Sequence, residues 1–469
     1  MLKILKYGLI GWLVLSLVTA PFYWPYARMV WVFMPFVTAP KFDPPADVDD
    51  ARRQDVDYLE TLIRYDRAFD EAEKQAFVQT LDTLRAGLGD MSDAQFYLAM
   101  AKAVALADNG HTNLSYRPQY RTFETIGTRL YSFSDGLYVV EADPAHKALV
   151  GRRVAAIDGR PVDAVQEGLQ VYRGGNRTWR TLYSTLIVEA PALLHAAGLA
   201  ASPDAVTFDL EVSPGITEPV TLNGKALPKD AKVPGRSAWE TLVPGGASAG
   251  HGPWAHVFSD QPDALPRYLS VPKQTLTYVL AGNGLYIRAI PGVGSKEKPI
   301  KTLYDGILAP YDDGSLDYLV VDFRLHDGGD YTRSMAFAKT APKTVKKDGK
   351  VYIITGPNTF SAGIVTVAML KYYAGDKAVI VGEPMGDREQ FWAERGTDFQ
   401  LPNSKYYVNY ATGYHDWEKG CKGDQYCYTM NVKHEVPAGS LAPQVLLTQT
   451  FESYQQGEDV VMDWIAAQH

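Results

Sequence analysis

The chain has 469 residues, a length that predicts two or three domains rather than one core. Its hydrophobic content of 46% and charged content of 21% are typical of a globular protein and exclude general disorder. The net charge of −8 and the lack of a basic stripe exclude nucleic acid as a partner.

The beginning of the chain has the pattern of an export signal or a membrane anchor. Lys3 and Lys6 precede an apolar run from Tyr7 to Ala20, and a second apolar run extends from Met29 to Val37. Pro21 would hinder cleavage after the small residues at the end of the first run, so we expect an uncleaved, single-pass anchor. Positive charge before the run places the body on the export side, periplasmic or extracellular.

Two alternatives stay open for this segment. Cleavage after Ala20 would release an exported soluble form. A buried amphipathic helix packed against the rest of the protein would need no membrane at all.

The cysteine pair also bears on the compartment. Cys421 and Cys427 are the two cysteines, and in an exported protein such a pair predicts a disulfide that closes a surface loop. A metal site is disfavoured because no zinc-finger spacing is present, although His415 and His434 flank the pair. We expect no metal and no cofactor.

Residues 41–121 have a helical pattern. The capping-box sequences Asp70-x-x-Glu73 and Ser92-x-x-Gln95 predict the starts of two helices. The second of these helices ends at Asp108-Asn109-Gly110-His111-Thr112, so it carries His111 into a turn.

Short alternating strands replace the helices over residues 122–222. The run from Leu149 to Val162 resembles the strand and turn of a PDZ-like module, which would bind an extended peptide at a sheet edge. An ordinary small β domain is the alternative. Residues 223–268 are rich in Gly, Pro, Ser and Ala and are interpreted as a linker.

Strands and helices alternate over residues 269–469. The predicted strands are Gly284 to Ile290, Tyr318 to Phe323, Val351 to Thr355 and Ala378 to Gly382, and the predicted helices are Ile300 to Leu308, Tyr331 to Lys339 and Ser361 to Tyr373. This alternation favours an α/β fold with a parallel sheet. Sites in such sheets lie at the carboxyl ends of strands, which directs attention to the loops after Phe323 and Thr355.

The loop after Thr355 ends in Ser361, at the start of a predicted helix. Free backbone N–H groups and the positive end of the helix dipole suit a nucleophile whose adduct must carry negative charge. Serine is also a favoured helix cap, so a purely structural role is the alternative.

Two glycines at the end of the preceding strand are candidate oxyanion-hole residues. Gly328 and Gly329 would let the backbone approach a ligand closely, and the N–H group of Ala362 would complete the hole. A tight strand-to-helix turn would also use two glycines.

Taken in order, the motifs resemble the tail-specific, carboxyl-terminal-processing and tricorn-core serine peptidases. The resemblance depends on the His111 turn, the PDZ-like run, Asp322-x-Arg324-x-x-x-Gly328-Gly329, Thr359-Phe360-Ser361-Ala362-Gly363 and Val381-Gly382-Glu383-Pro384-Met385-Gly386. It implies a crotonase-like β-α-β core, a peptide or protein substrate and acyl-enzyme chemistry at Ser361.

The resemblance also implies how the serine is activated. One branch of the family uses a lysine about two dozen residues downstream, but this chain has none there, and Arg388 stays protonated. The tricorn-like branch uses a histidine, and His111 matches its position as general base. His111 as a structural turn residue is the alternative.

The orienting acid does not carry over from the family. The stretch Tyr406 to Thr412 has no acid, and Glu383, Glu394 and Glu418 are unranked substitutes. His326 is a further departure, because relatives commonly have asparagine there. We therefore expect a serine peptidase. A catalytically inactive ligand- or peptide-binding protein is the alternative, and a cell-envelope scaffold that uses the PDZ-like groove also stays open. No oligomeric state is predicted.

Overall fold

The computed structural model describes residues 27–116, 119–229, 233, 238–245, 254–271, 274–289, 291 and 300–469. The apolar run from Tyr7 to Ala20, on which the anchor prediction depends, lies outside these residues. Within the described ranges, no helix has both the length and the apolar character needed to cross a bilayer.

Helices are found along the whole described chain. They are α1 (27–33), α2 (Val48–Glu60), α3 (Glu71–Ala86), α4 (Asp93–Ala105), α5 (Gln119–Thr122), α6 (Val162–Leu169), α7 (Arg177–Val188), α8 (Pro191–Ala196), α9 (Ala238–Leu242), α10 (Ile300–Leu308), α11 (Met335–Thr340), α12 (Ala362–Ala374), α13 (Thr429–His434), α14 (Phe451–Gln455) and α15 (Val460–Ala466).

The strands begin after α4. They are β1 (Asn113–Leu114), β2 (Thr128–Phe133), β3 (Gly136–Ala142), β4 (Arg153–Ile157), β5 (Arg160–Pro161), β6 (Ala205–Ser213), β7 (Ile216–Asn223), β8 (Ala255–His256), β9 (Leu276–Leu280), β10 (Gly284–Arg288), β11 (Leu316–Asp322), β12 (Val345–Thr355), β13 (Ala378–Gly382), β14 (Gln390–Ala393), β15 (Phe399–Gln400), β16 (Tyr407–Asn409), β17 (Gly413–Asp416) and β18 (Val445–Leu446).

The main sheet has the order β18-β13-β12-β11-β10-β9. All neighbouring strands are parallel except β9 and β10. The apolar runs that predicted β10 to β13 are buried because helices cover the sheet. Parallel pairing brings the carboxyl ends of β11 and β12 side by side, which confirms the predicted α/β class and places the two glycine- and serine-containing loops at one edge.

The motif Asp322-x-Arg324 has a structural role at this edge. The guanidinium of Arg324 donates to Asp322 at 2.6 Å and to Asp459, in the cap of α15, at 2.8 Å. All three side chains are largely buried, so each carboxylate compensates the charge of the arginine. The network joins the last helix to the end of β11, close to the two glycines.

Both predicted capping boxes are present, at the starts of α3 and α4. The amino-terminal helices do not form a separate core. Residues such as Phe77 and Met100 belong to one apolar cluster with Val139 and Phe208 of the antiparallel sheet, whose main order is β2-β3-β4-β6-β7. The end of α4 is therefore held against the rest of the protein.

The structure corrects the prediction of a linker over residues 223–268. The described part of this stretch includes α9 and β8, and Trp239, Leu242 and Phe258 are buried with Tyr454 in one apolar cluster. Trp239 and Leu242 are three residues apart in α9, and Phe258 follows β8, so the cluster joins segments that are distant in sequence.

The second apolar run packs against the protein through Phe33 and Val37 and is exposed at other positions. The Phe33 side chain is fully buried, and its ring lies edge-on to Tyr428 at 5.2 Å. Arg28 donates to the carbonyl oxygen of Gln425 at 2.9 Å. In contrast, Trp31 is 89% and Phe36 is 78% exposed.

Candidate active site

Ser361 occupies a strained turn between β12 and α12. It precedes the first residue of α12 and has φ 51° and ψ −118°, a conformation in which side chains other than hydrogen are strained. Its hydroxyl makes no capping hydrogen bond to the helix. The side chain of Ser361 therefore does not cap α12. Its hydroxyl lies beside the amino terminus of the helix.

Three hydrogen bonds hold the turn. The Thr359 hydroxyl donates to the carbonyl of Phe323 at 2.9 Å and accepts from the N–H of Gly356 at 3.0 Å. The N–H of Phe360 donates to the carbonyl of His326 at 3.1 Å. The ends of β11 and β12 are thereby connected, so the backbone of Ser361 is fixed.

The two glycines lie close to Ser361. Gly328 and Gly329 have φ of 133° and 109°, which other residues rarely adopt. A Cβ atom added to Gly328 would lie 3.2 Å from the Cβ of Ser361, so any side chain there would press on the serine. The N–H of Ala362 is in the first turn of α12, where helices have no internal acceptor.

His326 packs under this turn. Its side chain is buried, and burial lowers its pKa to about 4, so the ring is neutral at physiological pH. A Cβ atom added to Gly363 would lie 2.4 Å from the carbonyl oxygen of His326. The first turn of α12 therefore packs closely against His326. The substitution for asparagine is thus accommodated beneath the nucleophile turn.

His111 reaches the same region from the end of α4. The Asn109 amide exchanges two hydrogen bonds with the backbone of Trp392 in β14, at 3.0 and 3.2 Å. The ring of His111 then stacks between Phe360, with centroids 4.5 Å apart, and Phe391 at 5.3 Å. One face of the imidazole therefore contacts the residue next to Ser361.

Asp387 is the acid next to His111, and sequence reasoning missed it. The carboxylate Oδ2 lies 3.9 Å from Nδ1 of His111, and neither atom has a hydrogen-bond partner. Burial raises the pKa of Asp387 to about 7, and burial with the nearby His415 and Arg173 lowers the pKa of His111 to about 3. Its one sequence signal is its place in the stretch where relatives carry a lysine.

A second histidine and acid lie in the cleft that contains Ser361. His415 stands opposite Phe391 in the β14–β17 pair, and the two rings stack at 4.9 Å. Its Nε2 is 3.4 Å from Oε1 of Glu394. The cleft has a volume of about 230 Å³ and is lined by Ser361, Glu394, His415 and Tyr428, among others.

The other two candidate acids lie elsewhere. Glu383 lines a separate pocket beside Arg324 and Tyr131, where burial raises its pKa to about 7. Glu418 accepts a hydrogen bond from the side chain of Gln390 at 2.6 Å. Of the three predicted glutamates, Glu394 is therefore the one in the Ser361 cleft.

The segment between β5 and β6 also contacts the turn that carries Ser361. Helix α7, which sequence reasoning missed, places the Trp179 ring flat on Phe360, with centroids 3.9 Å apart. The Asn176 amide at the start of this helix donates to the carbonyl of Met385 at 3.0 Å. Helix α7 thus contacts both the residue before Ser361 and the loop that precedes Asp387.

Cys421 and Cys427 are joined by a disulfide, with Cα atoms 5.4 Å apart. The bond closes the loop from which Gln425 and Cys427 present carbonyl groups to Arg28. Among the described residues, no group of three or more His, Cys, Asp or Glu side chains is placed to hold a metal ion.

No family model and no curated protein matches the sequence. Two solved structures that match the fold are mature CPAF complexed with lactacystin, with 13% identity and a TM-score of 0.56, and mature CPAF alone, with 13% identity and a TM-score of 0.55. The matches cover 89% of this chain and 98% and 97% of the respective CPAF chains.

The structural match covers nearly the whole length of both proteins, although few residues are shared. It confirms the fold that the sequence motifs predicted. This chain has the fold of CPAF, a serine protease.

Proposed function

We propose that this protein is a serine peptidase that hydrolyses peptide bonds through an acyl-enzyme on Ser361. The observation that carries the proposal is the strained serine, which makes no cap bond and stands against Gly328 at the start of α12. A merely structural serine would gain nothing from this strain. The shared fold with CPAF adds support.

In the first step, the hydroxyl oxygen of Ser361 attacks the substrate carbonyl carbon while its proton passes to the imidazole of His111. The carbonyl oxygen becomes an anion and accepts hydrogen bonds from the N–H groups of Gly328 or Gly329 and Ala362. When the adduct collapses, the C–N bond breaks and the leaving amine takes the proton from the imidazolium.

In the second step, water attacks the acyl-enzyme. His111 accepts a proton from the water and returns it to the oxygen of Ser361, which leaves as a neutral hydroxyl. The product is a free carboxyl group, and the enzyme returns to its starting state.

We assign the proton transfer to His111 rather than to His415. The ring of His111 stacks on Phe360, the residue before Ser361, and its Nδ1 lies 3.9 Å from the unpaired carboxylate of Asp387. A general base must lie beside the nucleophile, so the contact with Phe360 favours His111. Asp387 acts as a positioning residue, since its carboxylate would stabilise the imidazolium.

A fluorophosphonate probe applied to the purified full-length protein tests the proposal. We expect the probe to label one site near neutral pH, and mass spectrometry to map the adduct to Ser361. Ser361→Ala should remove the labelling. Folded wild-type protein that takes up no probe would contradict the hydrolase and favour a binding protein on the same fold.

We also propose that the protein is exported and held at the membrane by its amino-terminal segment, with the body outside the cytoplasm. The proposal is supported by Lys3 and Lys6 before the first apolar run, and by a disulfide, which persists in oxidising compartments. The exposed Trp31 and Phe36 suit the membrane interface, where aromatic side chains are enriched.

A reporter fusion tests this location. A phosphatase that is active only outside the cytoplasm, fused after His469, should be active in a bacterial host, and the fusion should resist extraction from membranes by alkaline carbonate. An inactive reporter would contradict export. Release of an active fusion by carbonate would contradict the anchor and favour a cleaved, soluble form.

A further inference from the structure

The cleft beside Ser361 is lined by hydrogen-bond acceptors and aromatic rings. Its volume of about 230 Å³ is enough for one long side chain. Among the described residues that line the cleft there is no lysine or arginine. A substrate bound at Ser361 would therefore place a neighbouring side chain in a space that lacks positive charge.

Glu394 provides the negative charge of this cleft. Its side chain is 30% exposed, and its one ion-pair neighbour within 4.0 Å in the described chain is His415, at 3.4 Å. Asp330 lines the same cleft, but its carboxylate is 3.1 Å from Arg333. The carboxylate of Glu394 is therefore the acid that is left for a ligand.

Two further polar groups in the cleft have no partner. The buried hydroxyl of Tyr331 makes no hydrogen bond, and neither ring nitrogen of His415 makes one. Burying such groups without a partner is unfavourable. A ligand that donates several hydrogen bonds and carries positive charge would satisfy all three groups together.

The walls suit the rest of a basic side chain. Phe391, His415 and Tyr428 place their rings around the cleft. Such rings cover the methylene groups of lysine or arginine and attract the cationic end. An acidic side chain would meet the like charge of Glu394, and an apolar one would leave the acceptors unpaired.

The backbone of Glu394 has an unusual, strained conformation beside the cleft. It has φ 62°, which is unusual for a residue with a side chain, and its carbonyl accepts from the N–H of Thr412 at 3.1 Å. A Cβ atom on Gly413 would lie 3.1 Å from Cγ of Glu394, so the glycine leaves room for the side chain. Strain of this kind persists where a site requires it.

We propose that the protein cleaves after basic residues, with Glu394 as the specificity-determining acid for the residue whose carbonyl Ser361 attacks. This substrate class rests on the proposed peptidase activity. Tyr331 and His415 accept hydrogen bonds from the same lysine or arginine side chain.

A panel of peptides that differ at one position tests the proposal. The residue before the scissile bond is arginine, lysine, citrulline, norleucine or glutamate, so citrulline and norleucine remove the charge with little change of shape. We expect kcat/KM for arginine and lysine to exceed that for their neutral counterparts by about 10- to 100-fold. Equal rates for lysine and norleucine would overturn the inference.

Variants of the full-length protein locate the effect. Glu394→Gln should reduce the arginine-to-citrulline ratio by about 10-fold, and Glu394→Asp should retain most of it. Glu418→Gln, an acid outside the cleft, is the matched control and should leave the ratio unchanged. If Glu394→Gln slows every peptide equally, Glu394 does not select the substrate.

Measurements of peptide binding distinguish this inference from the peptidase proposal. In Ser361→Ala protein, the dissociation constant of the arginine peptide should be at least about 10-fold lower than that of the citrulline peptide. If the probe labels Ser361 but the peptides bind equally, the peptidase proposal stands and the specificity inference fails. If the probe does not react and arginine is still preferred, the cleft is a binding site on an inactive protein.

Discussion

Ser361→Gly should abolish peptide hydrolysis and at the same time stabilise the protein. The hydroxyl is the proposed nucleophile, so kcat should fall by at least about 10⁴-fold. Glycine adopts φ 51° and ψ −118° without the strain of a side chain, and the lost hydroxyl makes no cap bond. The free energy of unfolding should therefore rise by about 1 kcal/mol, as measured by urea denaturation.

Ser361→Ala is the matched control for this prediction. It removes the same hydroxyl but keeps a Cβ atom in the strained conformation, so the activity should be lost without the gain in stability. A glycine variant that is less stable than the alanine variant would show that the backbone at Ser361 is not strained. Retained hydrolysis in both variants would exclude it as nucleophile.

Asp387→Asn should change the dependence of activity on pH. The raised pKa of Asp387, about 7, means that the carboxyl group is protonated below neutral pH and cannot stabilise the imidazolium of His111. In the wild type, kcat/KM should rise as the pH increases through about 7. In Asp387→Asn, the rate should be about 10²- to 10⁴-fold lower, and this limb of the profile should disappear.

The stability of the folded protein should fall as the pH rises through the range in which the activity increases. Because the folded-state pKa of Asp387 lies above its usual value, the folded protein binds this proton more tightly than the unfolded chain. That contribution is complete below about pH 4 and is lost as the pH rises through about 7. Thermal unfolding should therefore show Asp387→Asn to be more stable than wild type at about pH 9, and little different at about pH 4.

Variants of the two histidines complete this test. His111→Ala should cause a loss of kcat/KM as large as that of Asp387→Asn or larger, and the double variant should be little worse than His111→Ala alone, because the two act as a unit. His415→Ala should keep the pH limb near 7. If His415→Ala removes the limb and His111→Ala keeps it, the general base has been assigned to the wrong ring.

The sequence was most informative where local pattern decides structure. The bounds of β13 and α10 match the predicted runs, and the capping boxes begin α3 and α4 as expected. Short apolar runs and cap residues act over a few positions, so these features can be predicted without knowing the rest of the fold. The turn that carries Ser361 belongs to the same class.

The surroundings of that turn depend on contacts between distant segments. His415 reaches the cleft because β17 pairs with β14, and Asp387 lies beside His111 because Asn109 binds the backbone of Trp392. Neither contact leaves a periodic signal in the sequence. The acid was sought at positions suggested by relatives, and this chain places an acid next to the imidazole from another loop.

The carbonyl groups that bind Arg28 belong to the loop closed by Cys421 and Cys427, and Tyr428 follows this loop as a wall of the Ser361 cleft. The disulfide thus constrains the loop that leads directly into one wall of the cleft. We expect a newly made chain with both thiols reduced to have an incomplete cleft. Such latency would delay cleavage of neighbouring proteins until the thiols have been oxidised.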